Sequence, residues 1–331
     1  AGPIRIIFIN NNCNRIRRRE CMAIAVISDT HFGLPESTLS DPSKVDLLIQ
    51  EIWHLSGGCD ELILLGDIFD FWRARPERAV REARYFLKRI AEMGIGVRYV
   101  VGNHDHHLVV LKQEDDFMER AARGDLYPVY IPALCWSQTI DGLEMEMFYP
   151  TYQTTVSNRA FLFTHGHHLD GVQVLSVRLM EKIRRLSGEE LLPADLEMMM
   201  TYAYENIYRS AYIGEMVDLE DHLWRISSLL SWFKAGFLMR YRFTPVERQY
   251  GSILRFLSDR GLGRVDCFIY GDTHRAGIHQ ERGGPLAVNA GGLTAGSSSQ
   301  GFPDTYLIID EAGLAVRRMG SERPLLLCEL L

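Results

Sequence analysis

Val101-Gly102-Asn103-His104-Asp105 closes the apolar run Val97 to Val101. The run reads as a buried strand. Directly after it stand a glycine, an amide oxygen, an imidazole and a carboxylate. A strand that ends in glycine and then in metal-competent side chains reads as an active-site loop at the carboxyl edge of a sheet.

Four further clusters repeat this arrangement. Ala23 to Ile27 runs into Ser28-Asp29-Thr30-His31, and Leu62 to Leu65 into Gly66-Asp67-Ile68-Phe69-Asp70. Arg159 to Phe163 runs into Thr164-His165-Gly166-His167-His168, and Val265 to Tyr270 into Gly271-Asp272-Thr273-His274. Taken singly, an Asp-Thr-His is a helix cap and a Gly-Asp after a strand is turn chemistry. Five such loops, each after an expected strand and each rich in Asp, His and Asn, point instead to a metal site where strand ends converge.

Between the strands the pattern is helical. Asp41 caps a helix with Pro42 at its first position, and Val45, Leu48, Ile49, Ile52 and Leu55 recur at helical spacing before Gly57-Gly58 stop it. Pro76 opens a second helix, with Val80, Phe86 and Ile90 inward and Gly94 at its end. Tyr130 to Trp136, Glu144 to Tyr149, Pro285 to Ala290, Thr305 to Ile309 and Leu314 to Arg318 read as further strands. Apolar strands separated by amphipathic helices predict an α/β fold with a parallel sheet covered on both faces.

Composition excludes several classes. The 331 residues carry a net charge of -7, which offers no basic field for holding long nucleic acids. Cys13, Cys21, Cys59, Cys135, Cys267 and Cys328 are scattered without a CxxC pair, as in a protein with reduced thiols; this makes a cytoplasmic location the expectation. No run of about 18 apolar residues predicts a membrane span. In residues 1–21 the apolar run Ile4 to Ile9 precedes Arg15, Arg17, Arg18 and Arg19, the reverse of a secretory signal. That segment is expected to be an extension outside the fold, with the domain covering 22–331.

The five clusters together resemble the signature of calcineurin-like metallophosphoesterases. The resemblance implies a four-layer α/β/β/α sandwich with a two-metal centre between the sheet ends. It implies that Asp29, His31 and His274 hold one metal, that Asn103 and His165 hold the other, and that Asp67 bridges them. The second metal's remaining ligand is usually the first His of a GHxH motif; here Asp272 stands in that position. Two divalent ions about 3.5–4 Å apart neutralise a phosphoester, orient its phosphorus and acidify a water between them. Mixed imidazole and oxygen donors suit Mn, Fe, Zn, Mg or Co, and the hard oxygen of Asp272 makes Mn the first expectation. His104, beside Asn103, is the expected general acid, oriented by Asp105 or Asp70. His106, His107, His167 and His168 are expected at a polar rim, with His167 within reach of substrate.

Between His165 and Asp272 lie about a hundred residues of mainly helical pattern, an insertion spanning about 170–262. Its expected helices carry Met198-Met199-Met200, Tyr204, Tyr208, Trp224 and Trp232, followed by Phe237-Leu238-Met239-Arg240-Tyr241-Arg242-Phe243. They read either as a cap packed on the sheets or as a lid for an amphiphilic substrate, and they could equally touch a membrane surface or a second subunit. Leu65 to Trp72, Gly271 to Gly277 and the insertion are similar to the UDP-2,3-diacylglucosamine pyrophosphatase-like branch, although that branch reads GNRD where this chain keeps His104. The expected activity is two-metal hydrolysis of a phosphodiester or pyrophosphate in a nucleotide-sugar or lipid-like substrate. A nuclease or phosphomonoesterase of the same family, and a non-catalytic partner-binding scaffold, are the alternatives.

Overall fold

The computed structural model describes residues 23–55, 58–124, 133–169, 245–295, 303–311 and 313–329, with 200–201, 204–206 and 208–209 from the insertion. The expected N-terminal extension, the rest of the insertion up to residue 244, and with it Trp224, Trp232 and Phe237 to Phe243, lie outside the described residues.

Two sheets form the centre. In the first, β1 (Ala23–Ile27), β2 (Glu61–Leu64), β3 (Gly96–Val100) and β5 (Leu143–Tyr149) run parallel. Four strands extend it by antiparallel pairing: β4 (Leu134–Ile140), β11 (Thr305–Asp310), β12 (Gly313–Arg318) and β13 (Leu326–Glu329). The order across the sheet is β13-β12-β11-β1-β2-β3-β5-β4. The second sheet contains β6 (Thr151–Val156), β7 (Arg159–Thr164), β8 (Cys267–Tyr270), β9 (Gly277–His279) and β10 (Leu286–Asn289). It runs β6-β7-β8-β10-β9, with β7, β8 and β10 parallel. The expected parallel sheet is thus the centre of each sheet, and hairpin partners close the edges.

Alternation along the strands produces the layers. Ala25, Ile27, Leu62, Leu64, Val97 and Tyr99 pack against α1 (Pro42–Leu55) and α2 (Pro76–Met93) through Val45, Leu48, Ile52, Phe86 and Ile90. Their neighbours Ile24, Val26, Ile63, Leu65 and Val100 point the other way and meet Phe161, Phe163, Ile269 and Val288 of the second sheet. Leu162, Phe268, Tyr270 and Ala287 face outward again, under Val246, Tyr250, Ile253 and Phe256 of α4 (Val246–Asp259). The order is helix, sheet, sheet, helix. Each buried aliphatic or aromatic side chain contributes about 1.5–3 kcal/mol, and a one-residue slip would send a whole strand's set to the wrong face.

Two boundaries differ from the sequence reading. β4 continues past Trp136 to Ile140, because Asp141 and Gly142 take the left-handed turn that joins it to β5. α4 falls inside the span expected to be a cap but is the outer layer of the second sheet. A further helix, α3 (His107–Ala122), starts directly after the Asn103-His104 loop. No helix among the described residues is long and apolar enough to cross a membrane.

Candidate metal centre

Five of the seven expected donors leave the strands on left-handed backbone. Asp29 (φ 52°), His31 (47°), Asp67 (52°), Asp272 (66°) and His274 (53°) all occupy a region that L side chains rarely adopt. Each costs of the order of 1–3 kcal/mol, which the surroundings must hold. The loops do so by locking onto one another: Asp29 N donates to Gly66 O (3.1 Å), His31 N to Asp67 O (2.9 Å) and Gly271 N to His165 O (2.7 Å). Gly102 is needed for a different reason. A Cβ there would overlap Asp67 Oδ1 and lie 2.6 Å from Asp67 N, so only glycine lets the bridging candidate pass over the loop.

Three overlapping donor groups result among the described residues; His31, Asp67 and His104 form one, and the other two take the expected metal positions. Asp29, His31 and His274 form the first: His274 Nε2 lies 3.3 Å from Asp29 Oδ1 and 3.2 Å from His31 Nε2. Asp67, His165 and Asp29 form the second, with His165 Nε2 at 3.1 Å from Asp67 Oδ2. The same Asp67 oxygen lies 3.8 Å from His31 Nε2, so it faces both groups, as a bridging ligand must. Asp272 Oδ1 approaches His165 Nε2 at 3.6 Å, on the second group's side. Asn103 rides on the loop whose next backbone amide, His104 N, donates to Asp67 Oδ1 at 2.9 Å.

Several donor atoms are built for a cation. Asp29 Oδ1, Asn103 Oδ1 and His165 Nε2 are buried and have no hydrogen-bond partner. Such atoms cost free energy unless something else satisfies them. The far nitrogens explain how the imidazoles present lone pairs. His165 Nδ1–H donates to Leu65 O at 2.9 Å, and His31 Nδ1–H to Asp70 Oδ2 at 3.0 Å, which turns each Nε2 toward the centre. His274 Nδ1 lies 3.2 Å from Thr294 Oγ1. Electrostatics agrees. Burial pushes the His165 imidazole down, but the carboxylates of Asp67, Asp29 and Asp272 outweigh it and draw the group well above its ordinary value. Burial likewise raises Asp67, and the surrounding imidazoles overcome that and hold it below the carboxylate range. The cluster attracts positive charge at the place where the lone pairs meet. Imidazoles, carboxylates and an amide oxygen in this arrangement fit two divalent ions. Bound there, the ions would neutralise phosphoryl oxygens and make a water acidic near neutral pH.

His104 stands beside this centre with a defined orientation. Its Nδ1 is 2.9 Å from Asp70 Oδ2, and its Nε2 is 3.9 Å from Asp67 Oδ2. Burial raises the Asp70 carboxyl, while His104 and His31 hold it well below its usual range, so it is the anionic partner of both imidazoles. Asp105, expected as an alternative orienting group, does something else. Its carboxylate accepts from Gly102 N (2.7 Å), Ile68 N (2.9 Å) and Tyr99 OH (2.5 Å), tying together the loops after β2 and β3. Burial and the nearby Asp67 charge push it up to about 6.

The expected polar rim is also revised. His106 and His167 are 1% and 2% exposed, packed around Tyr149 and Tyr204. Burial first, then His168 and His165, hold the His167 imidazole well below its ordinary value, as a neutral ring. His107 pairs with Glu205 of the insertion at 2.8 Å. Sequence reasoning did not single out Tyr99 or Thr294; nothing in their local pattern separates them from other residues of strand or loop.

A two-sheet sandwich that brings these donors to one edge defines a metal-dependent phosphoester hydrolase. The family model for calcineurin-like phosphoesterases matches residues 22–276, and the chain belongs to that family. Among curated proteins none matches. Similar solved structures include Yfce, a phosphoesterase from E. coli, at 15% identity and TM-score 0.41, covering 94% of this chain and 100% of that one. A dimetal phosphatase from Danio rerio has 14% identity and TM-score 0.41, with 93% and 98% covered. A metallophosphoesterase from Sphaerobacter thermophilus has 11% identity and TM-score 0.30, with 91% and 89% covered.

Proposed function

We propose that this enzyme hydrolyses a phosphodiester, with an alcohol as leaving group and Mn²⁺ as the preferred ion at both sites. The observation that carries the reading is His104. Its Nδ1 is tied to the Asp70 carboxylate and its Nε2 faces the bridging candidate Asp67. In that position an imidazolium, stabilised by Asp70, donates its Nε2 proton to the leaving oxygen as the P–O bond breaks and the water oxygen bonds to phosphorus. A departing alcohol needs that proton; a departing phosphate needs none at neutral pH. The chain is similar to the UDP-2,3-diacylglucosamine pyrophosphatase-like branch in the Leu65 to Trp72 stretch and in its insertion, yet that branch has arginine where His104 stands. Arginine cannot give up a proton in a protein. The histidine therefore favours an ester over a pyrophosphate, in a substrate with a nucleotide-sugar or lipid-like body. The hard carboxylate of Asp272, in place of the usual imidazole, supports manganese.

A hydrolysis panel on metal-stripped and reloaded protein tests this reading. Bis-p-nitrophenyl phosphate and an alkyl phosphodiester are compared with a phosphomonoester, a nucleotide sugar, a lipid pyrophosphate and single-stranded DNA, each with Mn²⁺, Mg²⁺ and Zn²⁺. The expected result is fastest turnover of the diesters with Mn²⁺. A preference for the pyrophosphates, or no metal-stimulated hydrolysis of any substrate, would overturn it.

A further inference from the structure

The segment from Asp70 to Trp72 wraps around His104 on three sides. Asp70 Oδ2 takes the imidazole Nδ1–H at 2.9 Å, Phe71 N donates to His104 O at 3.2 Å, and the Trp72 ring stacks on the imidazole at 4.2 Å and 28°. The carboxylate fixes one nitrogen but leaves the ring free to swing about that bond. The indole face removes the swing. Trp72 is itself held from below: its amide and that of Arg73 both donate to Asp70 Oδ1, at 3.1 and 2.8 Å.

The other edge of Trp72 meets the insertion. Tyr204, buried in its helical residues, lies 5.4 Å from the Trp72 ring and 5.1 Å from His106. One turn on, Tyr208 stacks on His107 at 3.8 Å, and Glu205 takes the His107 Nδ1 at 2.8 Å. The helical residues 204–206 and 208–209 are therefore fastened to both flanks of the His104 loop, and Tyr204 reaches the imidazole by way of Trp72. We infer that Trp72 is a positioning residue that couples the proton donor's alignment to Tyr204. Tyr204 packs on Trp72, and Trp72 sets the His104 plane. A donor displaced by a fraction of an ångström loses much of its effect.

This inference rests on His104 acting as the proton donor, and the experiment separates the two. Trp72→Leu, Trp72→Phe and Tyr204→Leu are compared with the wild type, each metal-loaded, on a p-nitrophenyl diester and on an alkyl diester. p-Nitrophenolate leaves without a proton, so Trp72→Leu should lower kcat about 2-fold there and about 30-fold on the alkyl diester, with KM little changed. Trp72→Phe should restore most of the alkyl rate. A second readout is independent of activity: the His104 carbon-bound proton resonance in Mg²⁺-loaded protein, assigned with His104→Gln. Stacking under the indole should displace it upfield, and both Trp72→Leu and Tyr204→Leu should move it back. Equal losses on the two diesters, or a His104 resonance unmoved by Tyr204→Leu, would overturn the inference. If His104→Gln itself spares the alkyl diester, the general-acid reading fails, and the resonance alone then decides whether Tyr204 sets the imidazole.

Discussion

His104 and Asp70 are joined through Nδ1 and Oδ2 at 2.9 Å, and that same oxygen receives His31 at 3.0 Å. One carboxylate thus serves a metal-ligand candidate and the proposed proton donor. Asp70→Asn keeps the shape and removes the negative charge. Turnover of an alkyl diester should fall about 100-fold at saturating Mn²⁺. Metal affinity should fall about 10-fold, read by titration with the ion, because His31 loses the partner that fixes its tautomer.

Asp272 is the proposed ligand that tunes the second site. It approaches His165 Nε2 at 3.6 Å and is partly exposed, so replacing it does not disturb the core. Asp272→Ala should reduce the bound metal from two ions toward one, measured by elemental analysis after gel filtration. Asp272→His should shift the preference from Mn²⁺ toward Zn²⁺, since imidazole is the softer donor. An unchanged metal preference would count against the role given to this carboxylate.

Gly102→Ala places a methyl group against the Asp67 carboxylate and backbone. The neighbour is backbone, so relief requires the loops after β2 and β3 to part. Stability should drop by about 1–3 kcal/mol in urea unfolding, and the bridging position should be lost with it. Gly263→Ala, at an exposed position where a Cβ meets nothing, serves as the control and should bind metal as the wild type does.

Acid stability has a contributor far from the centre. Asp266 Oδ2 accepts from Ala160 N at 2.9 Å, and Arg264 pairs with its other oxygen at 2.9 Å. The Ala160 bond chiefly, with help from Arg264, holds the carboxyl below its ordinary value. A depressed carboxyl stabilises the fold above its unfolded-state value, and the contribution is lost as pH falls through the folded one. Asp266→Asn should therefore lower Tm at pH 7 and show a smaller further decrease than the wild type between about pH 5 and pH 2.

Much of this was legible in the chain because each donor cluster directly follows an apolar strand. Ile27 before Ser28-Asp29, Leu65 before Gly66-Asp67 and Val101 before Gly102-Asn103 mark strand ends by composition alone, and the structure brings all three loops to one edge. What sequence could not separate was which of several nearby acids does which task. Asp105 is the next residue after His104 and Asp70 lies 34 residues before it, yet it is Asp70 that takes the imidazole Nδ1, while Asp105 turns back to the amides of Gly102 and Ile68. Gly102 read as a turn residue; its real constraint is the Asp67 side chain, 35 residues earlier in the chain. β6 was missed because Thr151 to Val156 is largely polar, as suits an edge strand, and its register comes from pairing with β7 across Ser157-Asn158. α3 was missed because its apolar residues are spread over an exposed surface that keeps Leu111 and Met118 in solvent.

The two donor groups at the metal positions draw on both sheets. Asp29 and His31 come off β1 while His274 follows β8, and Asp67 comes off β2 while His165 follows β7. Behind this edge the sheets are joined by apolar contact, which has no preferred direction of sliding. At the edge they are joined by atoms that must meet at a point. The centre is therefore a clasp on the open side of the sandwich, and when it is undone carboxylates from opposite sheets, Asp29 and Asp272 among them, face each other across the seam. Any chelator that strips this enzyme should loosen that edge first, so amide exchange should rise in the loops of Asp29 and Asp272 before it rises along the apolar seam.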